Sequence, residues 1–207
     1  VIFAALVSLV LYIGHLNYNV KNRRMEFPII MVFSVIGMLI MLTSHDFLTF
    51  YIGLELQSLA IYILVSINRA NIKSAEAGLK YFILGALGSG ILLFGISLIY
   101  GFSGSIFFKD IGEVLASGYN IALIIGIILV LTALFFKISA VPFHMWTPDV
   151  YEGAPTPVAV FMGTAPKIAG IIILMRLFSE MLVAYHIHLE QIIIFVSVAS
   201  LLVGALG

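Results

Sequence analysis

The sequence lacks cysteine and has few charged side chains. Without cysteine, this chain can form no disulfides, thiolate metal sites or cysteine-bound iron–sulfur clusters. Only 10% of the 207 residues are charged, against about a quarter in soluble domains. The hydrophobic share is 62% and the mean hydropathy is +1.20. Because so few charges cannot cover a soluble surface, the composition predicts an integral membrane protein.

Positive and negative charges balance, since ten lysine and arginine residues match ten aspartate and glutamate residues. This balance argues against a nucleic-acid partner, which usually requires a basic surface. The chain begins at Val1 inside an apolar run with no basic leader, which predicts no signal peptide. Both ends lie within hydrophobic segments, at 1–13 and 192–207, so we expect a partial chain of a longer protein.

Long apolar runs divide the chain into membrane spans of about 20 residues. The predicted full spans cover five segments: 27–44, 47–67, 77–101, 120–140 and 158–178. Partial spans are predicted at 1–14 and 192–207. The predicted loops are 15–26, 45–46, 68–76 and 102–118, the last rich in glycine and serine. The sequence therefore predicts an all-α bundle of about six to seven transmembrane helices, forming one incomplete transmembrane domain over 1–207.

Basic residues are unevenly distributed among these loops. The loops at 15–26 and 68–76 lie on one face by parity and carry Lys21, Arg23, Arg24, Arg69 and Lys73. The connections at 45–46 and 102–118 lie on the other face and carry only Lys109. The first face, called the basic face below, is predicted to be the cytoplasm or the mitochondrial matrix.

The fourth span carries small residues at three- and four-residue steps. They are Gly78, Gly85, Gly88, Ser89 and Gly95. Small side chains at this spacing let helices approach closely in lipid, so we predict a packing seam in preference to a ligand site.

Three ionisable residues stand near the middle of predicted spans: Glu55, Lys137 and Lys167. A charge at the bilayer centre costs a few kcal/mol or more, and such side chains usually face a bundle interior or water. Glu55 shares one helix face with three polar residues, Tyr51, Ser58 and Tyr62. This stripe favours a hydrated interior path; the alternative is a hydrogen-bonded seam between helices with a neutral Glu55.

Lys80 lies one turn inside the basic end of the fourth span. It could serve a relay, or it could extend to the interface beside Glu76, its i, i+4 neighbour.

Lys137 directly precedes a segment that cannot be a plain helix, because Pro142 and Pro148 each remove a backbone donor. Either the span ends near Ala140 and a loop follows, or a broken helix continues through the membrane. The negative end of a broken half-helix would favour the ammonium, whereas burial disfavours it. A lysine in this balance can gain and lose a proton near neutral pH. Lys167, between Gly163 and Gly170, is predicted to have room for water.

Other polar residues of the proline-rich segment have simpler interpretations. His144 can be a hydrogen-bonded structural residue, Trp146 an interface anchor, and Asp149 with Glu152 a solvated loop. The sequence contains no spacing typical of a metal site and no nucleotide-binding glycine motif.

The segments 136–158 and 165–168 resemble the antiporter-like membrane subunits of respiratory complex I. Within that family, Thr-Pro-Asp-Val-Tyr-Glu-Gly-Ala-Pro-Thr-Pro at 147–157 is similar to the subunit 2, or subunit N, branch. Residues 54–59 and 76–81 fit the same branch. The resemblance implies a fold of two inverted helical repeats, of which this chain holds most of the first.

The resemblance also implies roles for residues of this chain. Glu55 would pair with and tune Lys137, Lys167 would be the central relay lysine, and Lys80 an auxiliary one. The implied activity is proton translocation coupled to quinone reduction by NADH:ubiquinone oxidoreductase. No cofactor is expected in this chain; flavin, iron–sulfur clusters and ubiquinone are expected in other subunits.

The implied partners are other membrane-arm subunits and lipid, and the implied location is the mitochondrial inner membrane or a bacterial plasma membrane. Two alternatives remain open, a cation/proton antiporter subunit of the same superfamily and a structural scaffold that does not pump.

Overall fold

The computed structural model describes residues 1–18, 25–118 and 120–206, which form a bundle of helices. The helices are α1 (Ile2–Tyr18), α2 (Glu26–Thr43), α3 (Phe47–Val65), α4 (Ile72–Ser103), α5 (Phe108–Ser117), α6 (Ile121–Lys137), α7 (Thr147–Gly153), α8 (Thr156–Glu180) and α9 (His186–Leu206). Among them, α2, α3, α4, α8 and the Leu189–Leu206 part of α9 are long and apolar enough to cross a membrane. With the shorter apolar stretches Ile2–Gly14 and Ile121–Lys137, they match the seven predicted full and partial spans. The predicted class, an all-α multi-pass membrane protein, is confirmed.

Two predicted loops are shorter than expected. Helix α4 begins at Ile72 inside the loop predicted at 68–76, because the Asn71 side chain accepts a hydrogen bond from the Lys73 amide and caps the helix. Helix α1 continues to Tyr18, into the loop predicted at 15–26. Lys21, Arg23 and Arg24, which support the predicted basic face, lie outside the described residues.

The connection predicted as a glycine- and serine-rich loop at 102–118 contains helix α5. This helix buries one face, formed by Phe108, Ile111 and Leu115, and the Phe108 ring packs edge-on against Phe47 with centroids 5.0 Å apart. The loop prediction was wrong here because this amphipathic face stabilises a short helix despite the flanking glycines.

Small residues bring the long helices into close contact, which confirms the packing seam predicted in α4. A Cβ on Gly78 would meet Ser66, one on Gly88 would meet Phe136, and one on Gly95 would lie 2.8 Å from the Gly126 carbonyl oxygen. A second seam lies between α2 and α3. There, a Cβ on Gly53 would lie 2.6 Å from the Met41 amide nitrogen.

Helix α6 ends at Lys137 in a Schellman motif, with Ser139 in the left-handed conformation at φ 62°. The amides of Ala140 and Ser139 donate to the carbonyls of Phe135 and Phe136 over 2.9 and 3.1 Å. The helix therefore stops five residues before Pro142. Residues 138–146, called the break segment below, form turns before α7 begins.

Helices α6 and α7 together line one side of α4. Phe136, near the end of α6, meets Gly88 in the middle of α4, and α7 packs Gly153 against Ala77 near the start of α4. The two helices and the break segment thus follow α4 from its middle towards its basic-face end. This arrangement favours the broken-helix alternative, because the chain continues beyond Lys137 along α4 through the break segment into α7.

Candidate functional site

Lys137 points from the end of α6 towards the polar face of α3. Its ammonium donates hydrogen bonds to Ser58 Oγ over 2.9 Å and to Tyr62 OH over 3.3 Å, and it lies 5.8 Å from the Tyr62 ring centroid. Ser58 in turn donates to the Leu54 carbonyl over 2.7 Å. The two hydroxyls are spaced one turn apart on α3, so the polar stripe read from the sequence does face the lysine.

Glu55 lies on the same face of α3 as these hydroxyls, three residues before Ser58. Its Oε1 is buried and has no hydrogen-bond partner among the described residues. No ion pair joins it to Lys137 in the described part of the chain. The structure therefore places Glu55 on the face of α3 that Lys137 contacts, without an ion pair between the two side chains.

Lys167 lies on α8, with its ammonium 5.6 Å from the centroid of the Tyr151 ring. Helix α8 continues through Pro166 without ending. The two glycines beside Lys167 differ in their surroundings. Gly170 packs against Ile138 of the break segment, whereas Gly163 is exposed and a Cβ there would lie 3.7 Å from the Tyr151 hydroxyl, an ordinary contact. Room for water around Lys167 therefore stays a prediction.

Four aromatic rings contact one another in a row that runs from Lys137 to Lys167. Tyr62 meets Tyr81 edge-on at 4.7 Å, Tyr81 stacks on Trp146 at 4.5 Å, and Trp146 lies 6.5 Å from Tyr151. We call these four residues the aromatic layer. Its first ring faces Lys137 and its last ring faces Lys167.

Trp146 is a buried residue rather than the interface anchor that the sequence suggested. Its side chain is 3% exposed, and its indole N–H donates to the Phe136 carbonyl over 3.0 Å. This hydrogen bond joins the break segment to the last turn of α6. The positions of aromatic residues in the sequence do not reveal such a contact.

Eight buried side-chain polar atoms have no hydrogen-bond partner within the described ranges. They are Ser34 Oγ, Glu55 Oε1, Gln57 Oε1, Ser89 Oγ, Ser139 Oγ, His144 Nδ1, Thr147 Oγ1 and Tyr151 OH. Four of the eight belong to the break segment and α7. Buried polar groups are normally bonded to protein or to ordered water, so these atoms are candidate binding positions for water. His144 was expected to form a structural hydrogen bond, but its Nδ1 has no partner among the described residues.

Lys80 belongs to a cluster of charges where α7 meets α4. Its ammonium pairs with Glu76 at 2.8 Å, as the sequence suggested, and with Asp149 at 2.7 Å. Lys73 pairs with Glu152 at 2.7 Å, and both side chains are largely exposed. We call these five residues the basic-face cluster. Asp149 and Glu152 therefore form ion pairs between α7 and α4. Both side chains are solvated, as expected, but they lie on a short helix and not in a loop. The Lys73 ammonium holds the pKa of Glu152 below its usual value of 4.5.

Arg176 is a structural site that the sequence reasoning missed. From α8 it donates to the carbonyls of Leu42 and Ser44, which end α2, and it pairs with Glu180 at 2.9 Å. The i, i+4 spacing of Arg176 and Glu180 within a span was the available signal. The carbonyl partners are visible only in three dimensions.

Within residues 1–18, 25–118 and 120–206, no three histidine, aspartate or glutamate side chains lie close enough together to hold a metal ion. The site thus consists of two lysines, one unpaired carboxylate, hydroxyls and aromatic rings. Such groups can bind, hold and transfer protons.

Comparison with known proteins gives consistent relatives. Residues 44–207 match the family described as "NADH:quinone oxidoreductase/Mrp antiporter, TM". NADH-quinone oxidoreductase subunit N 1 of Rhizobium meliloti (strain 1021) is 47% identical over 205 residues, which cover 99% of this chain and 42% of that protein. The chain therefore spans less than half the length of this relative.

Two solved structures are similar in fold. A chain of respiratory complex I from Thermus thermophilus with bound aureothin is 37% identical, with a TM-score of 0.67 over 74% of this chain and 34% of that chain. A chain of the Mrp complex from Dietzia sp. DQ12-45-1b is 26% identical, with a TM-score of 0.79 over 87% of this chain and 34% of that chain.

Proposed function

Because the chain belongs to the NADH:quinone oxidoreductase/Mrp antiporter transmembrane family, we propose that the whole protein is a proton-translocating membrane subunit of NADH:quinone oxidoreductase. The identity of 47% to a subunit N over 99% of the chain supports this assignment. Its partners would be the other membrane-arm subunits and lipid. Flavin, iron–sulfur clusters and quinone would be bound by other subunits. Since this relative is bacterial, we place the protein in a bacterial plasma membrane in preference to a mitochondrial one.

The observation that carries the proposal is the environment of Lys137 at the end of α6. The ammonium is held by two hydroxyls inside the bundle, and one oxygen of the nearby Glu55 carboxylate is buried without a partner among the described residues. A charge pair that can be closed or open gives the lysine two states of different proton affinity. When Glu55 approaches, Lys137 keeps its proton; when Glu55 is withdrawn, the proton passes through water to Lys167.

The magnitudes are compatible with this switch. Moving one elementary charge against 100 mV requires about 2.3 kcal/mol. A tenfold change in proton affinity corresponds to about 1.4 kcal/mol. Opening and closing the Glu55–Lys137 pair therefore has to change the proton affinity of Lys137 by roughly fiftyfold to move one proton against this potential, provided that the redox reaction drives the opening.

The test replaces Lys137 by alanine in the full-length subunit within the assembled enzyme, reconstituted in vesicles. We expect fewer protons pumped per quinone reduced, measured with a pH indicator during NADH oxidation. Lys109→Ala is the matched control, because Lys109 is an exposed lysine on α5 outside the site. Full activity and unchanged stoichiometry in Lys137→Ala would reject the relay role and favour the structural scaffold.

A second candidate function is cation/proton exchange without a redox partner. It is favoured by the fold similarity to the Mrp complex, whose TM-score of 0.79 exceeds the 0.67 obtained with complex I. Purification of the native assembly separates the two functions. Flavin and iron–sulfur proteins in the assembly support the pump, whereas Na⁺/H⁺ exchange by an assembly without redox proteins supports the antiporter.

A further inference from the structure

The aromatic layer lies at a defined level between Lys137 and the basic-face cluster. Along α4, Lys80 of the cluster comes immediately before Tyr81 of the layer, and Gly85, which contacts the Tyr62 hydroxyl, follows one turn later. Gly88, which contacts the Phe136 ring next to Lys137, lies about 12 Å from Lys80 along the helix axis. Charges, rings and the Lys137 site therefore succeed one another along a single helix.

The two sides of the layer differ in their contact with water. The side chains of Lys80 and Asp149 are 44% and 57% exposed. Tyr62, Tyr81 and Trp146 are at most 6% exposed. The layer thus separates a hydrated cluster of charges from the interior, where Lys137 meets its hydroxyl partners.

We propose that the aromatic layer is a barrier that blocks proton exchange between the basic-face cluster and Lys137, with Trp146 as its central residue. Protons move along chains of water and hydrogen-bonding groups, whereas packed ring faces exclude water, and apolar constrictions close pores by dewetting. The only donor of the indole ring is already occupied by the Phe136 carbonyl. Trp146 therefore fills the centre of the layer without offering a hydrogen-bonded route.

Trp146 is also the one residue of the aromatic layer that does not lie in a helix. Tyr62 and Tyr81 belong to the long helices α3 and α4, and Tyr151 to the short helix α7, whereas Trp146 ends the break segment. Helix α7 directly follows and is held to α4 by the exposed ion pairs Lys80–Asp149 and Lys73–Glu152. A displacement of α7 would carry Trp146 with it and open the layer. The relay role of Lys137 behind this barrier rests on the proposed function.

The first experiment measures passive proton permeability of vesicles that contain the assembled enzyme without NADH. A pH gradient is imposed and its collapse is followed. We expect faster collapse with Trp146→Ala than with the wild type. The matched variant Trp146→Phe loses the bond to Phe136 but keeps a ring, so it should retain the wild-type rate. An assembled Trp146→Ala enzyme with the wild-type rate would overturn the barrier.

The second experiment uses the absence of cysteine from this chain. A single Lys137→Cys variant is exposed to a membrane-impermeant thiol reagent from the basic face, and labelling of the subunit is read by mass. We expect little labelling with the layer intact and rapid labelling when Trp146→Ala is added. Lys80→Cys, on the water side of the layer, should react rapidly in both backgrounds. If Trp146→Ala does not assemble, Tyr81→Leu removes the neighbouring ring instead.

Rapid labelling of Lys137→Cys beside an intact Trp146 would overturn the proposal. Labelling does not depend on pumping, so it distinguishes the barrier from the relay. If Lys137→Ala pumped normally while labelling still required removal of a ring, the relay would fail and the barrier would stand.

Discussion

Gly85 lies directly against the hydroxyl of Tyr62, so a Cβ at position 85 would overlap that oxygen. The same hydroxyl accepts a hydrogen bond from Lys137. Because Gly85 has no side chain, the Tyr62 hydroxyl can lie where it accepts the hydrogen bond from Lys137. The packing of α4 on α3 therefore fixes the position of one of the two hydrogen-bond acceptors of Lys137.

Gly85→Ala should displace Tyr62 from Lys137. Overpacking a tight contact costs about 1–3 kcal/mol, so we expect a lower thermal stability of the assembled enzyme and fewer protons pumped per quinone. Gly90→Ala is the control on the same helix, because a Cβ there meets nothing within 4 Å. Equal behaviour of the two variants would show that the Tyr62 hydroxyl can move without consequence.

Tyr62→Phe tests the hydroxyl separately from the ring. The variant keeps the ring that packs on Tyr81 but removes one of two acceptors for the Lys137 ammonium. A hydrogen bond to a charged group contributes about 1.5–3 kcal/mol. We therefore expect coupled turnover to fall by roughly tenfold, measured as NADH-driven proton uptake into vesicles. Tyr100→Phe, at an exposed position near the far end of α4, should have no effect.

Much of this architecture could be predicted because lipid imposes strong rules on sequence. Apolar runs of spanning length located the long helices, and Pro142 with Pro148 indicated the interruption after Lys137. The i, i+4 spacing of Ser58 and Tyr62 correctly predicted that the two lie on one face of α3, which contacts Lys137. These features depend on residues close together in the sequence, so they can be predicted from a single sequence.

The remaining features depend on contacts between distant segments. The burial of Trp146 requires Tyr81 of α4, and the ion pairs of Asp149 and Glu152 require α7 to fold back on α4. The Lys137 ammonium is held by the hydroxyls of Ser58 and Tyr62 and forms no ion pair with Glu55 among the described residues, an arrangement of rotamers that spacing does not encode. Flanking glycines also hid the amphipathic face of α5.

Lys80→Ala should destabilise the contact between α4 and α7 more than Asp149→Asn does. Removal of Lys80 leaves the carboxylates of Glu76 and Asp149 without their shared cation, whereas Asp149→Asn leaves the Lys80–Glu76 pair intact. The measurement is the yield and thermal stability of the assembled enzyme. Lys80→Arg keeps the charge and should resemble the wild type; a larger loss in Asp149→Asn than in Lys80→Ala would contradict the arrangement.

Arg176→Met should loosen the attachment of α8 to the turn between α2 and α3. The variant keeps an apolar stem but leaves the carbonyls of Leu42 and Ser44 without their donor and Glu180 without its cation. Both charged side chains are mostly buried, at 19% and 28% exposure, so an unpaired partner costs about 2 kcal/mol or more. We expect a lower midpoint of thermal unfolding for the assembled enzyme. Adding Glu180→Gln removes the orphaned charge, so the double variant should be less destabilised than the sum of the two single variants. Additive losses would show that the two side chains do not act as a pair.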